Sequence, residues 1–310
     1  MRANSIIWED PTDDRELPEI VAPVIARITR RFEEQERLER ENDTADPEPA
    51  PEEGEKIGEQ LRCWPQEVAA MPTELTRASL FVLVRRGRRK ILDWEKLESR
   101  ADIEVAYSGK QLDQADADLW LACLRLGRGV PLGQRIYTTR AALLQEIGKT
   151  DGSANHRWLI DSLDRMSRST FRVIAKRNGK EVRVTTGMLK YGIEKPSGQM
   201  YIRLDPEGAA LFENLAYVGW EQRLALTSNA AKALQLYVSG HMAGKPHAVL
   251  LADLARWMGY EGRLRQFRAS LRPALAELAA TGMIHSYGIK SGPRGDIAYW
   301  TRGGVSLPTT

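Results

Sequence analysis

A repeat constrains this chain more than any other feature. "LLQEIGKTDGSANHRWLIDSL" and "LARWMGYEGRLRQFRASL" each carry a glycine stop, a polar turn, an aromatic residue and a Ser-Leu pair, Ser162-Leu163 in one and Ser270-Leu271 in the other. The flanking segments repeat as well. In the first copy, "DADLWLACLRLGRG" and "TTRAALLQEIG" read as helices, and "TFRVIAKR", the turn pair Asn178-Gly179 and "KEVRVTT" follow as a hairpin. In the second, "TSNAAKALQLYVSG" and "HAVLLADLARWMG" read as helices, and "MIHSYGI", "KSGPRG" and "DIAYWTR" close as a hairpin. Helix, helix, glycine turn, helix, hairpin, met twice, is a repeated supersecondary unit. It reads as a helix-turn-helix with a β-wing, a geometry whose last helix enters the DNA major groove. The expected fold class is therefore α+β: two tandem winged-helix (helix-turn-helix plus β-wing) domains over 61–215 and 216–310, behind an acidic, partly disordered N-terminal arm over 1–60.

Charge divides along the same lines. Residues 1–60 carry 8 basic and 18 acidic side chains, and residues 61–310 carry 37 and 24. A basic body behind an acidic arm suits a polyanion for the body and a protein partner or linker for the arm. Within the arm, Val21, Val24, Ile25, Ile28 and Phe32 recur at helical spacing over 20–38. The Pro- and Glu-rich stretch "NDTADPEPAPEEGEKIGE" then reads as a disordered linker. Between arm and repeat, "SLFVLVRRGRRKILDW" reads as strand, basic turn and strand, and "IEVAYSG" as a further strand. "MLKYGIEK" and "QMYIRL" make one more hairpin around "PSG".

The helix from Leu264 carries the sharpest functional signal. Leu264, Phe267, Leu271, Leu275 and Leu278 fall on one side and should pack. The other side of the first turns shows Arg265, Gln266, Ala269 and Arg272, flanked by Arg263 and Arg268. A recognition helix presents its N-terminal half to bases and phosphates. Arg can grip guanine bidentately, Gln can grip adenine, and Ala can touch a thymine methyl. A merely solvated basic face usually mixes signs, yet no acid lies between Glu261 and Glu277. Pro273, inside the helix, predicts a kink or break near Ser270. In the earlier copy Arg157, Asp161, Asp164 and Arg168 face outward, so contacts there are expected from the front end: Lys149, Ser153, Asn155, His156 and Arg157. The run "RRGRRK" over 85–90 reads as a hairpin tip on a phosphate backbone or as a solvated turn.

From about Trp64 to Trp300 the chain resembles the TrfA-like plasmid replication initiators. The resemblance lies in "WPQEVAAMPTELTRASLF", "GWEQRLALTSNAAKALQLYVSGH" and "FRASLRPALAELAATGMI" taken in order. It implies two winged-helix domains that bind double-stranded DNA at direct repeats, called iterons, in an origin. It further implies help in opening the duplex, recruitment of the host initiator and replicative helicase, and a switch between self-dimer and monomer. Such proteins can carry a Gln-Leu-x-Leu-Phe-type peptide that docks on the polymerase clamp. Here Gln60-Leu61-Arg62-Cys63-Trp64 lacks the second Leu and the Phe.

Other classes find less support. No Walker A loop is present, since the GxxxxG spacing of Gly187 to Gly192 continues as Ile193-Glu194. The four histidines form no HxH or HExxH pair, and His241 and His247 flank what reads as a loop, a poor metal site. An enzyme, a cofactor and a metal are therefore not expected. Two widely separated cysteines, Cys63 and Cys123, build no disulfide framework. The N-terminus has no apolar signal region and no run spans a membrane, so the cytoplasm is expected. Two alternatives stay open: a winged-helix repressor on an operator, and a protein-interaction scaffold that binds no DNA.

Overall fold

The computed structural model describes residues 57–83, 89–177, 179–194 and 199–303, all within one compact unit of the chain. The helix expected over 20–38, the acidic linker, most of the 85–90 basic run, Asn178 and the chain end lie outside the described residues. Two hydrophobic cores organise the rest. The first gathers Trp120, Leu143, Leu159, Leu163 and Phe171, and the second gathers Leu234, Leu254, Phe267, Leu271 and Trp300.

The first core is entered through β1 (Val68–Pro72), α1 (Thr73–Thr76), β2 (Phe81–Val82), β3 (Ile91–Leu97), β4 (Ile103–Lys110) and β5 (Leu112–Asp113). The repeat then begins with α2 (Gln114–Leu126), β6 (Ile136–Thr138), α3 (Arg140–Glu146) and α4 (Ser153–Ser167). Asp113 caps α2 in a reciprocal box with Asp116, and Thr139 caps α3. After α4 come β7 (Thr170–Arg177), β8 (Lys180–Gly187), β9 (Leu189–Ile193) and β10 (Met200–Leu204). A 3-10 helix (Pro206–Glu213) and β11 (Leu215–Gly219) follow. A short linking helix, α5 (Trp220–Ala225), packs Trp220 on the first core, and the second core is built by α6 (Asn229–Ser239), β12 (Pro246–Leu250), α7 (Leu251–Trp257), α8 (Leu264–Ala280), β13 (Ile284–Gly292) and β14 (Gly295–Arg302). Glu277 of α8 clasps the start of α6 by accepting from the Thr227 and Ser228 hydroxyls.

Sheet pairing shows how the repeat is used. In the second module the strands lie β12-β14-β13, so the last hairpin returns to the strand between its first two helices. In the first module the matching order is β6-β10-β9. The hairpin equivalent to β13–β14 is thus β9–β10, and the one expected in that role, β7–β8, is an insertion. Its strands pair in full register, Arg177 opposite Lys180, and extend a separate sheet of order β3-β4-β7-β8. β1 and β11 pair antiparallel from Val68 opposite Gly219 to Pro72 opposite Leu215.

Four local expectations are corrected. The segments around "RRGRRK" do not pair with each other, because β2 runs parallel to β5 while β3 pairs with β4. "HAVLLADLARWMG" is not one helix, since residues 246–250 are drawn into β12 by β14. Helix α8 runs unbroken through Pro273. Ala269 and Pro273 both lie on the exposed side, where water can serve the carbonyl that loses its N–H partner. Leu264 is not in the core: it is 42% exposed, because packing begins one turn later at Phe267.

Candidate nucleic-acid interface

Among the described residues, the four helices longer than ten residues fall into two kinds. Side chains of Asp113 and Ser228 cap α2 and α6. Helices α4 and α8 occupy equivalent places in the repeat, and neither has a side-chain cap or an acid in its first turn. Their N-terminal N–H groups and the positive end of the helix dipole are left open, which suits an anion. On α8 this end also carries basic side chains, an arrangement that repels itself until a phosphate or carbonyl-rich base edge arrives.

Not all the candidates on α8 are alike. Arg263, the N-cap residue, and Arg265, Gln266, Ala269 and Arg272 are exposed, and none has a side-chain partner among the described residues. Arg268 is half-buried and pairs with Asp296 of β14 at 2.9 Å. Asp296 also accepts from Ser291 at 3.0 Å, so this carboxylate ties the β13–β14 hairpin to α8. Near the hairpin turn, Lys290 and Arg294 are exposed, with Lys290 above the Tyr299 ring. Sequence reasoning did not select these two, although "KSGPRG" placed both between strands.

The front of α4 is more internally bonded. Ser153 and Arg157 are exposed, but Asn155 donates to the Thr150 carbonyl at 2.8 Å. His156 pairs with Asp151, and the Lys149 ammonium lies 4.7 Å from the Trp158 ring centre. Asp164, expected to face outward, accepts from the Tyr191 hydroxyl of β9 at 2.8 Å. Burial first, then this carboxylate, push the Tyr191 hydroxyl up to about 12, which keeps it a donor. Among the described residues, the front of α4 therefore presents fewer uncommitted candidate side chains than that of α8.

The basic run is partly structural. Arg89 bonds Asp113 and Asp116, and Lys90 reaches Glu261 at 2.6 Å. Asp116 is fully buried and also accepts from Arg165 at 2.6 Å and from Ser162. Burial opposes its ionisation most strongly, yet Arg165, Ser162 and Arg89 together hold its pKa below the usual carboxylate value. The clamp-like string is equally occupied: Leu61 and Trp64 are 3% and 4% exposed, and residues 58–61 hydrogen-bond to the loop at 129–132. No peptide could dock through those two side chains without pulling them from the core.

Among the described residues, no helix is long and apolar enough to cross a membrane. His241 and His247, read as separated by a loop, meet with ring centres 4.0 Å apart. No cluster of three metal-ligating side chains forms among the described residues.

Comparison with known proteins places this geometry. The family model described as TrfA protein matches residues 58–291. The plasmid replication initiator protein TrfA of Escherichia coli is 23% identical over 233 residues, 71% of this chain but 59% of that protein's length. A crystal structure of domains 2 and 3 of RctB has 14% identity and a TM-score of 0.50, covering 75% of this chain and 99% of that one. A second RctB structure of the same domains gives 12% and 0.46, covering 71% and 95%. With so little identity, the first RctB likeness speaks to the fold alone. The family match, in contrast, extends over more than half of the chain, and the chain belongs to the TrfA family.

Proposed function

We propose that this chain is a plasmid replication initiator whose two repeat units are winged helices that bind origin DNA. The observation that carries this reading is the uncapped, acid-free start of α8 with Arg263, Arg265, Gln266 and Arg272 exposed and uncommitted. Such side chains match base edges and phosphates, and little else on the described surface gives them a role. In this reading α8 with its β13–β14 hairpin supplies most of the sequence discrimination. Helix α4, through Ser153, Arg157 and its open N-terminus, supplies mainly phosphate contacts. Two non-identical modules in one chain suit an asymmetric site repeated in one direction, as iterons are. Duplex opening, recruitment of the host initiator and helicase, a dimer–monomer switch and a cytoplasmic setting come with the family resemblance, and no catalytic step is assigned to the chain.

Selection of random and plasmid DNA fragments by the purified protein, followed by sequencing, tests the reading. An asymmetric motif present as same-direction copies near an origin is the expected result. A promoter palindrome would replace it with the repressor reading, and no enrichment at moderate salt would refute DNA recognition.

A further inference from the structure

The two modules meet across a buried polar joint. Arg223 of α5 has no exposed surface. Its Nε donates to Asp118 of α2 at 2.6 Å. One terminal nitrogen donates to the Lys232 carbonyl at 2.6 Å and to Gln235 Oε1 at 3.4 Å. The other donates to Gln114 Oε1 at 3.0 Å and to the Gln114 carbonyl at 3.3 Å. All five guanidinium N–H groups are thus used. The second oxygen of Asp118 accepts from Lys232 Nζ at 2.5 Å. Gln114 and Asp118 belong to the first module, while Arg223, Lys232 and Gln235 lead into the second. Burial pulls the Arg223 pKa down, and the Asp118 carboxylate acts against that pull.

An apolar seam can slide, because burial has no preferred direction. A planar fork bonded on every side cannot turn or shift without breaking several bonds at once. Further links lie away from this joint. Trp257 Nε1 donates to the Ser99 carbonyl at 3.1 Å, the Leu83 amide donates to Met258 at 3.2 Å, and Arg77 donates to the Gly240 carbonyl. Contacts at several separate places along α6, α7 and the following turn resist rotation about Arg223.

Resting on the DNA-binding reading above, we infer that Arg223 is a positioning residue that, with Asp118 and Lys232, fixes the distance and helical phase between the DNA segments contacted by α4 and α8. The protein then accepts one spacing between the two halves of its site. Each inserted base pair moves the halves apart by about 3.4 Å and rotates them by roughly 34°. A fixed joint cannot follow.

The test uses the selected site with 1, 2, 5 or 10 bp inserted between its halves, and full-length protein as wild type, Arg223→Gln, Asp118→Asn and Lys232→Met. Wild type is expected to lose about tenfold or more in affinity with 1 or 2 bp inserted, a loss of the order of one mismatched base pair. A 10 bp insertion restores phase but not distance, so affinity stays low. The variants are expected to bind the native spacing less tightly and to flatten the profile to within about threefold, an energy difference of under ~1 kcal/mol. Their affinity for DNA carrying only the α8 half should equal that of wild type, a readout that a general loss of structure would lower. Equal wild-type affinity at every spacing would overturn the inference without any variant, as would folded variants with undiminished spacing discrimination. If Arg223→Gln does not fold, Lys232→Met at the rim of the joint decides the matter. No bound site at all would refute DNA recognition itself, a failure distinct from a site bound at any spacing.

Discussion

Gly148 and Gly259 stop equivalent helices of the repeat, yet alanine should affect them very differently. Both have left-handed backbone, with φ of +69° and +62°. Alanine at either pays the left-handed penalty of about 1–2 kcal/mol. At Gly148 nothing more is added, because a Cβ would meet only Leu224 Cδ2 at 3.9 Å. At Gly259 it would overlap Val82 Cγ1 and lie 2.5 Å from Val82 Cβ and 3.1 Å from its Cα. Val82 lies in β2 of the first module, so the strain falls on the seam just before α8. Overpacking of this kind typically adds about 1–3 kcal/mol. Gly148→Ala should therefore cost about 1–2 kcal/mol and Gly259→Ala about 2–5 kcal/mol. Urea denaturation of the full chain, with midpoints and slopes compared, measures both. Adding Val82→Ala should recover part of the Gly259→Ala loss, since the Cγ1 overlap goes while the Cβ contact at 2.5 Å stays, and should recover nothing for Gly148→Ala. Equal losses for the two alanines, or no coupling to Val82, would refute the claim that the second turn is held against the first module.

On DNA, Arg265→Ala should cost about 1–3 kcal/mol at one base position without altering stability, measured by competition with single-base variants of the selected site. Arg268→Ala should instead lower stability by about 1 kcal/mol and weaken binding evenly across those variants, because it frees Asp296 and the hairpin it holds. The reverse pattern would exchange their roles. The His241–His247 contact makes a pH prediction. Burial first, then the neighbouring His247, lower His241 to about 3, with Arg77 and Arg100 adding repulsion. Unfolded His241 binds a proton near 6.5, so between that pH and about 3 the unfolded state holds more protons and stability falls as pH falls, by up to about 1.4 kcal/mol per unit. His241→Phe should flatten that acid limb between pH 6.5 and 4.5 in thermal unfolding, and an unchanged limb would refute the assignment.

Much of the architecture was legible because it is written in local signals. Glycine stops, the Thr139 and Ser228 caps and the alternation in β7 and β8 all act within a few residues. The strand partners were not legible. Nothing in "TFRVIAKR" says that it pairs with β4, which precedes the whole run of helices, instead of returning to its own helical unit. Likewise "HAV" is apolar enough for either a helix or a strand, and β14 decides it. The candidate interface divides in the same way. The basic face of α8 follows from helical period, but the commitment of Arg268 to Asp296, of Arg89 to Asp116 and of Lys90 to Glu261 depends on tertiary approach. Arg223 was passed over because a single arginine in "WEQRLAL" looks like any surface charge.

The pairing of β1 with β11 has a consequence for biosynthesis. Val68 leaves the ribosome long before its partner Gly219, with nearly the whole first module still to be made. Through that interval β1 has no edge to join, and its wholly buried side chains from Val68 to Pro72 lack their final cover. The nascent first module can assemble its helices and the β7–β8 insertion early, but it closes only when the stretch leading directly into α5 emerges. Completion of one module and arrival of the buried arginine that joins it to the next are thus nearly simultaneous events in synthesis.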